Sequence, residues 1–196
     1  LPVVMADGWR PGLSVDAIVQ DGFAGGYLAA QHLLERGHKD VLWLGRVTNS
    51  VHSETRWGGA SAACMEAGAR LEFDENTLFR REQGVENYGA AIRKSLSRPG
   101  YPRAVLALWR TMCLGVLMAC ADLGIEVGKD LEVVGWCPVE QYEREFLPQL
   151  QGSKAPPVVN WSIAQMAEAA LDRLAERRAN PNMPAIRINI RTSLRT

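Results

Sequence analysis

Residues 31–45, QHLLERGHKDVLWLG, hold one complete step from helix to strand. Leu33 and Leu34 belong to a run with apolar side chains at helical spacing. Gly37 follows where a helix needs a left-handed residue to end, a conformation glycine takes without a Cβ penalty. Val41-Leu42-Trp43-Leu44 is apolar on both faces, as a buried parallel strand is, and Gly45 closes it. Such a step implies an open α/β sheet.

The same alternation extends in both directions. Short strands are predicted at 3–6 and 17–20, then a helix over about 23–36 with Phe23, Tyr27, Ala30 and Leu34 on one face and Asp21 as its N-cap. After a loop at 48–50, Ser53 or Thr55 can cap a helix to about 67, which Gly68 ends. A strand at 78–82, a helix at 88–96, a strand at 104–108 and a helix at 110–123 stopped by Gly124 come next. Strands at 132–136 and 158–160 flank an irregular stretch, 137–156. Ser162 and Gln165 form a capping box for a last helix, whose Ile163, Met166, Ala167, Ala170, Leu171 and Leu174 make one apolar face. A strand at 185–190 follows. The fold class is α/β, a doubly wound parallel sheet.

Of the 196 residues 47% are apolar, enough for a substantial core. The 22 basic and 22 acidic residues cancel, and the arginines are scattered, which argues against a nucleic-acid-binding face in this stretch. No apolar run approaches membrane-spanning length, and residues 1–5 lack the basic and apolar regions of an export signal, so no membrane partner is expected. Cys64, Cys113, Cys120 and Cys137 form no C-x-x-C pair, and the first three fall in predicted helices as small buried hydrophobes; a reduced, cytoplasmic protein fits this usage.

An open parallel sheet binds ligands beyond the carboxyl ends of its strands. Those positions are Asp7 with Trp9, Gln20 with Asp21, Arg46, Glu82 with Gln83, Trp109 with Arg110, Trp136 with Cys137, and Trp161. Trp57 lies in the first turn of a helix. Any one tryptophan can be hinge or lid packing, but the set favours an aromatic-lined cleft suited to sugar rings or planar heterocycles. Arg56 sits near a helix start, where the helix dipole disfavours a cation, so it is a candidate to grip hydroxyls or a carboxylate; the alternative is a pair with Glu54 or another nearby acid. The expected ligand contacts are Asp7, Gln20, Arg56, Trp109, Arg110, Trp136, Cys137 and Trp161. No catalytic triad, metal-ligand spacing, phosphate loop or G-x-G-x-x-G stands out, so neither enzyme activity, nor metal, nor cofactor is expected. In helix 110–123, Met112, Val116, Leu117 and Leu123 face the sheet, and Cys113, Leu114 and Met118 form a second apolar stripe. A second stripe needs a further cover, either another copy of the chain or other parts of the protein.

Several phrases together resemble the effector-binding domain of the LacI/GalR bacterial transcription regulators. They are the Gly37-His38 turn with its apolar strand, residues 1–7 ending in Asp7, and 16–38, DAIVQDGFAGGYLAAQHLLERGH. Arg56-Trp57-Gly58-Gly59, residues 127–135, VGKDLEVVG, and Arg191-Thr192-Ser193 add to them. The resemblance covers nearly the whole chain. It implies a periplasmic-binding-protein-like fold of two lobes that close on a small-molecule effector, with three crossings between lobes. It implies a complete C-terminal lobe of residues 20–160 plus 186–196 and part of an N-terminal lobe, 1–19 plus 161–185. The family's DNA-binding helix-turn-helix is then absent from this stretch, which looks like a fragment, and operator DNA is reached only through that other domain. It also implies a homodimer with Leu114 and Met118 at the interface. Two departures stand out: Trp109-Arg110 replaces the family's usual Asn-Asp, and Cys137 replaces an Asp. Those acids commonly hold sugar hydroxyls, so the changes favour an anionic or planar effector, a sugar acid or a heterocycle, over a simple sugar; Arg110 either faces the ligand or points to solvent. A periplasmic solute-binding protein of the sugar-binding type shares the fold and is the alternative function.

Overall fold

The computed structural model describes residues 1–46, 50–77, 85–150 and 154–196. In chain order the elements are β1 (Val4–Ala6), β2 (Asp16–Gln20), α1 (Gly22–Glu35), β3 (Asp40–Leu44), α2 (Val51–Glu66), β4 (Arg70–Phe73), α3 (Val85–Leu96), β5 (Ala104–Ala107), α4 (Arg110–Leu123), β6 (Glu132–Trp136), a single turn α5 (Val139–Gln141), β7 (Val158–Asn160), α6 (Ile163–Ala179), β8 (Arg187–Ile190) and β9 (Ser193–Arg195). Among the described residues they form two sheets. The smaller has the order β1-β2-β8, all parallel. The larger has the order β4-β3-β5-β6-β7-β9, parallel except for β9, which runs antiparallel to β7. The chain therefore crosses between sheets three times: after β2, after β7 and after β8.

Local signals set most boundaries. The Asp21 carboxylate accepts from the Ala24 N–H at 3.0 Å and starts α1. Gly37 and Gly124 take φ of +93° and +67° where α1 and α4 end. The strand at 41–44 is buried throughout, with Trp43 at 0% exposure among the largest core side chains. The main core gathers β3, β5, β6 and β7 with α1, α2 and α4; a small second core is built on Ile18, Met166 and Ile190. Trp161 packs against both.

The structure departs from the expected layout in several places. The strand expected at 185–190 as part of the large lobe pairs instead with β2, Ala17 opposite Arg187, and it is β9 that returns to the large sheet. β4 was not expected: its Arg70 and Glu72 are exposed on a sheet edge, where charge is tolerated and discourages pairing with another chain. The strand at 78–82 lies outside the described residues, as do Glu82 and Gln83. Residues 137–150 are not irregular; after α5 comes a π-helical turn (Tyr142–Phe146) and a 3-10 turn (Leu147–Leu150). The second apolar stripe of α4 is largely covered within the chain. Leu114 is 6% exposed and Cys113 fully buried, because α4 packs on α3 and on the turn 147–150 as well as on β5 and β6. Met118 alone of that stripe is open, at 52%.

Candidate functional site

The site is built where α2 meets the carboxyl ends of β2, β5 and β6. α1 and α2 touch backbone to backbone: a Cβ on Gly26 would stand 2.0 Å from the Arg56 carbonyl oxygen, and one on Gly59 2.0 Å from that of Phe23. This approach brings the Arg56 side chain, fully buried, across to Gln20 and Leu108. Arg56 Nη2 donates to Gln20 Oε1 and Nη1 to the Leu108 carbonyl, both at 2.5 Å. Three tryptophans surround the guanidinium, with Cζ 4.7 Å from the Trp109 ring, 4.9 Å from Trp136 and 5.6 Å from Trp161. Such faces attract a cation through the ring quadrupole.

The neighbours continue toward the small sheet. Asp7 stands at the end of β1 with φ of +55°, a left-handed conformation that Asp tolerates better than most residues. Its Oδ1 accepts from Gln20 Nε2 at 3.1 Å. His52 Nε2 lies 2.9 Å from the Asp7 carbonyl oxygen and 3.5 Å from its carboxylate, and the imidazole meets Trp109 edge to face. Burial pushes the Arg56 guanidinium down to about 9, opposed by the nearby Asp7 charge, so it is still cationic at neutral pH. Among the described residues no carboxylate is hydrogen-bonded to it. Arg56 Nε and Trp136 Nε1 are buried donors with no hydrogen-bond partner among the described residues, as is Trp43 Nε1 behind the Trp136 ring. Buried donors without acceptors are uncommon and call for an explanation.

Of the expected contacts, Asp7, Gln20, Arg56, Trp109, Trp136 and Trp161 come together here. Arg110 turns away to an ion pair with Glu145, at 26% exposure. Cys137 is fully buried beside the strand end rather than open to a cleft, its thiol donates to the Pro138 carbonyl, and burial pushes it up to about 11. Among the described residues Arg56 hydrogen-bonds to a neutral glutamine and a backbone carbonyl rather than to Glu54, and Asp7 acts on it through its charge alone. Trp57 packs on Trp43 and Phe73, and Trp9 stacks on Arg187, both away from the cage. His52 was missed. Its spacing of four from Arg56 puts the two on one helix face, a signal present in the sequence. Among the described residues no cluster of His, Cys, Asp or Glu is arranged to hold a metal, and no helix is long and apolar enough to cross a membrane.

Among the described residues, two layers of mostly parallel strands with helices, crossed three times by the chain, meet at this polar and aromatic cluster. The chain belongs to the periplasmic binding protein-like domain family, whose model matches residues 30–196. It is 31% identical over 195 residues to the HTH-type transcriptional repressor PurR of Mannheimia succiniciproducens, covering 99% of this chain and 55% of that protein. The fold is similar to that of a LacI-family regulatory protein from Chloroflexus aggregans, with a TM-score of 0.79 and 22% identity over 98% of this chain and 66% of that one. It is also similar to the transcriptional regulator CelR in complex with cellobiose, with a TM-score of 0.78 and 24% identity over 98% of this chain and 57% of that one. These relatives bear out the resemblance to a LacI/GalR effector-binding domain. The chain spans about half the length of the curated relatives it matches.

Proposed function

We propose that these residues form the effector-binding part of a LacI-type transcription regulator, with a small molecule bound between the lobes controlling operator affinity. The carrying observation is Arg56: a buried cation in a tryptophan cage at the junction of the two sheets, whose hydrogen-bond acceptors among the described residues are neutral, with donors beside it that have no partner among those residues. An acceptor-rich or anionic effector, a sugar acid or planar heterocycle, satisfies those donors and stacks on Trp109 and Trp161, with Gln20 and Asp7 as exchangeable polar partners. The similarity to repressors favours this reading over a periplasmic solute-binding protein. The large layer, residues 21–160 with 193–196, serves as the C-terminal lobe, and 1–20 with 161–190 as part of the N-terminal one. The regulator is cytoplasmic, has no catalytic role, and contacts operator DNA through a helix-turn-helix outside these residues.

Thermal-shift screening against sugars, sugar acids and nucleobases tests this, since a ligand bound only by the native state raises the midpoint. Arg56→Ala is expected to weaken binding of the hit by about 1.5–3 kcal/mol, the worth of a hydrogen bond from a charged donor. Unchanged binding would make Arg56 purely structural.

The regulator is also proposed to be a homodimer through α4, now with Met118 rather than Leu114 as the accessible centre. A charge at the centre of a two-fold patch meets its own copy, so Met118→Arg should sediment as a monomer. A dimer that survives places the interface elsewhere, and a wild-type monomer at micromolar concentration removes it.

A further inference from the structure

Helix α6 lies on the small sheet, against β1, β2 and β8, yet its first turn is held by a carboxylate from the large layer. Glu140 sits in α5, four residues beyond Trp136. Its Oε1 accepts from Ser162 Oγ at 2.6 Å and from the Ala164 N–H at 3.0 Å, and its Oε2 accepts from the Ile163 N–H at 3.0 Å. One residue earlier, the Val139 N–H donates to the Trp161 carbonyl at 3.0 Å. Ser162 Oγ caps the helix in the ordinary way, accepting from the Gln165 N–H at 3.1 Å. The remaining free donors of the first turn, which a helix cannot satisfy internally, thus go to a residue outside the helix and more than twenty positions earlier. Burial would raise the Glu140 carboxyl, but the hydrogen bonds from Ala164, Ser162 and Ile163 outweigh it and hold it at about 2. It is therefore an anion at any physiological pH, facing the positive end of the α6 dipole.

The residue enclosed by these bonds is Trp161, which packs against both cores and presents its ring to Arg56. The structure assigns to Glu140 the role of positioning residue: by gripping residues 162–164 from α5, next to the Val139 bond to the Trp161 carbonyl, it fixes the Trp161 wall on Arg56 and ties the small layer to the end of β6. The assignment deepens the effector-site reading and rests on it only for what the wall is for. A rigid link from Trp136 through α5 to Trp161 and α6 means that any change in the angle between the layers must move Trp161 relative to the guanidinium or break the Glu140 contacts.

The test reads Trp161 without any effector. Subtracting the emission of each protein's Trp161→Phe counterpart isolates that indole from the other five. In Glu140→Ala the isolated emission is expected to shift to the red, and its acrylamide quenching to rise several-fold. Glu140→Gln, which keeps a carbonyl oxygen for Ser162 and Ala164, should restore most of the wild-type behaviour. A Glu140→Ala protein that loses thermal stability while its Trp161 emission and quenching stay unchanged overturns the assignment and leaves Glu140 a helix cap only. Should Glu140→Ala fail to fold, Ser162→Ala removes one of the three bonds and is expected to shift Trp161 less, in the same direction; no shift in that variant overturns the assignment equally. If the indole moves as expected and no compound of the screen binds, the effector reading fails and the positioning role stands.

Discussion

Replacing Asp16 by alanine should lower the stability of the protein by about 3–5 kcal/mol, the usual consequence of removing one partner from a buried ionic cluster. The Asp16 side chain is fully buried. Its Oδ1 accepts from the Ile186 N–H at 2.9 Å and from Arg173 at 2.9 Å, and its Oδ2 takes Arg177 at 2.7 Å. Arg173 is itself 4% exposed and Arg177 15%, so alanine leaves two guanidinium groups close together at low exposure, with Arg173 keeping, among the described residues, only the more exposed Glu176 as a carboxylate partner at 2.9 Å. The lost Ile186 bond also loosens β8 from β2, the strand that ends in Gln20. Burial works to raise the Asp16 carboxyl, but Ile186, Arg173 and Arg177 together hold it below the usual 3.8. A carboxyl depressed in the folded state contributes stability that is complete above its unfolded value and fades as pH falls through the folded one. The wild type is thus expected to lose this part of its stability below about pH 4, and Asp16→Ala to lack that acid limb. Denaturant midpoints measured from pH 7 to pH 3 check both; a loss under about 1 kcal/mol at pH 7 would show that the cluster relaxes without Asp16.

What was legible in the sequence was whatever neighbouring residues decide. The Asp21 cap, the left-handed glycines at 37 and 124, and the apolar runs at 41–44 and 132–136 act within a turn or a strand, and their elements fall where expected. Arg56 was singled out because an arginine near a helix start opposes the dipole, and the structure answers with a cage instead of solvent. The rest depends on partners far along the chain. Glu140 and Ser162 are 22 residues apart, and Arg110 and Glu145 35 apart. No local pattern announces either pair. Cys137 was chosen for its place at a strand end, but both faces of β6 are covered, so that position gives no access. β9 is only three residues long and polar at its ends, too short for alternation to mark it.

The closeness of α1 and α2 makes opposite predictions for two adjacent glycines. Gly58→Ala should stabilise α2 by about 0.5–1 kcal/mol, since alanine loses less backbone freedom than glycine in a helix. The new methyl has room: its nearest neighbour is Phe23 Cδ2 at 3.7 Å. Gly59→Ala carries the same propensity gain but sets a methyl 2.0 Å from the Phe23 carbonyl oxygen and 2.8 Å from the Tyr27 nitrogen, both main-chain atoms that cannot swing aside. The helices must separate, and overpacking of this kind is expected to cost about 3 kcal/mol. Gly26→Ala, at 2.0 Å from the Arg56 carbonyl oxygen, should behave alike from the other side of the contact. Separation also draws Arg56 away from Gln20 and the Leu108 carbonyl. Gly59→Ala and Gly26→Ala are therefore expected to weaken binding of any effector that Arg56 grips, while Gly58→Ala leaves binding unchanged. Thermal midpoints and ligand-induced shifts on the three variants measure both effects. A Gly59→Ala protein as stable as Gly58→Ala would mean that the helices do not meet backbone to backbone, and that something other than glycine packing holds Arg56 in the cage.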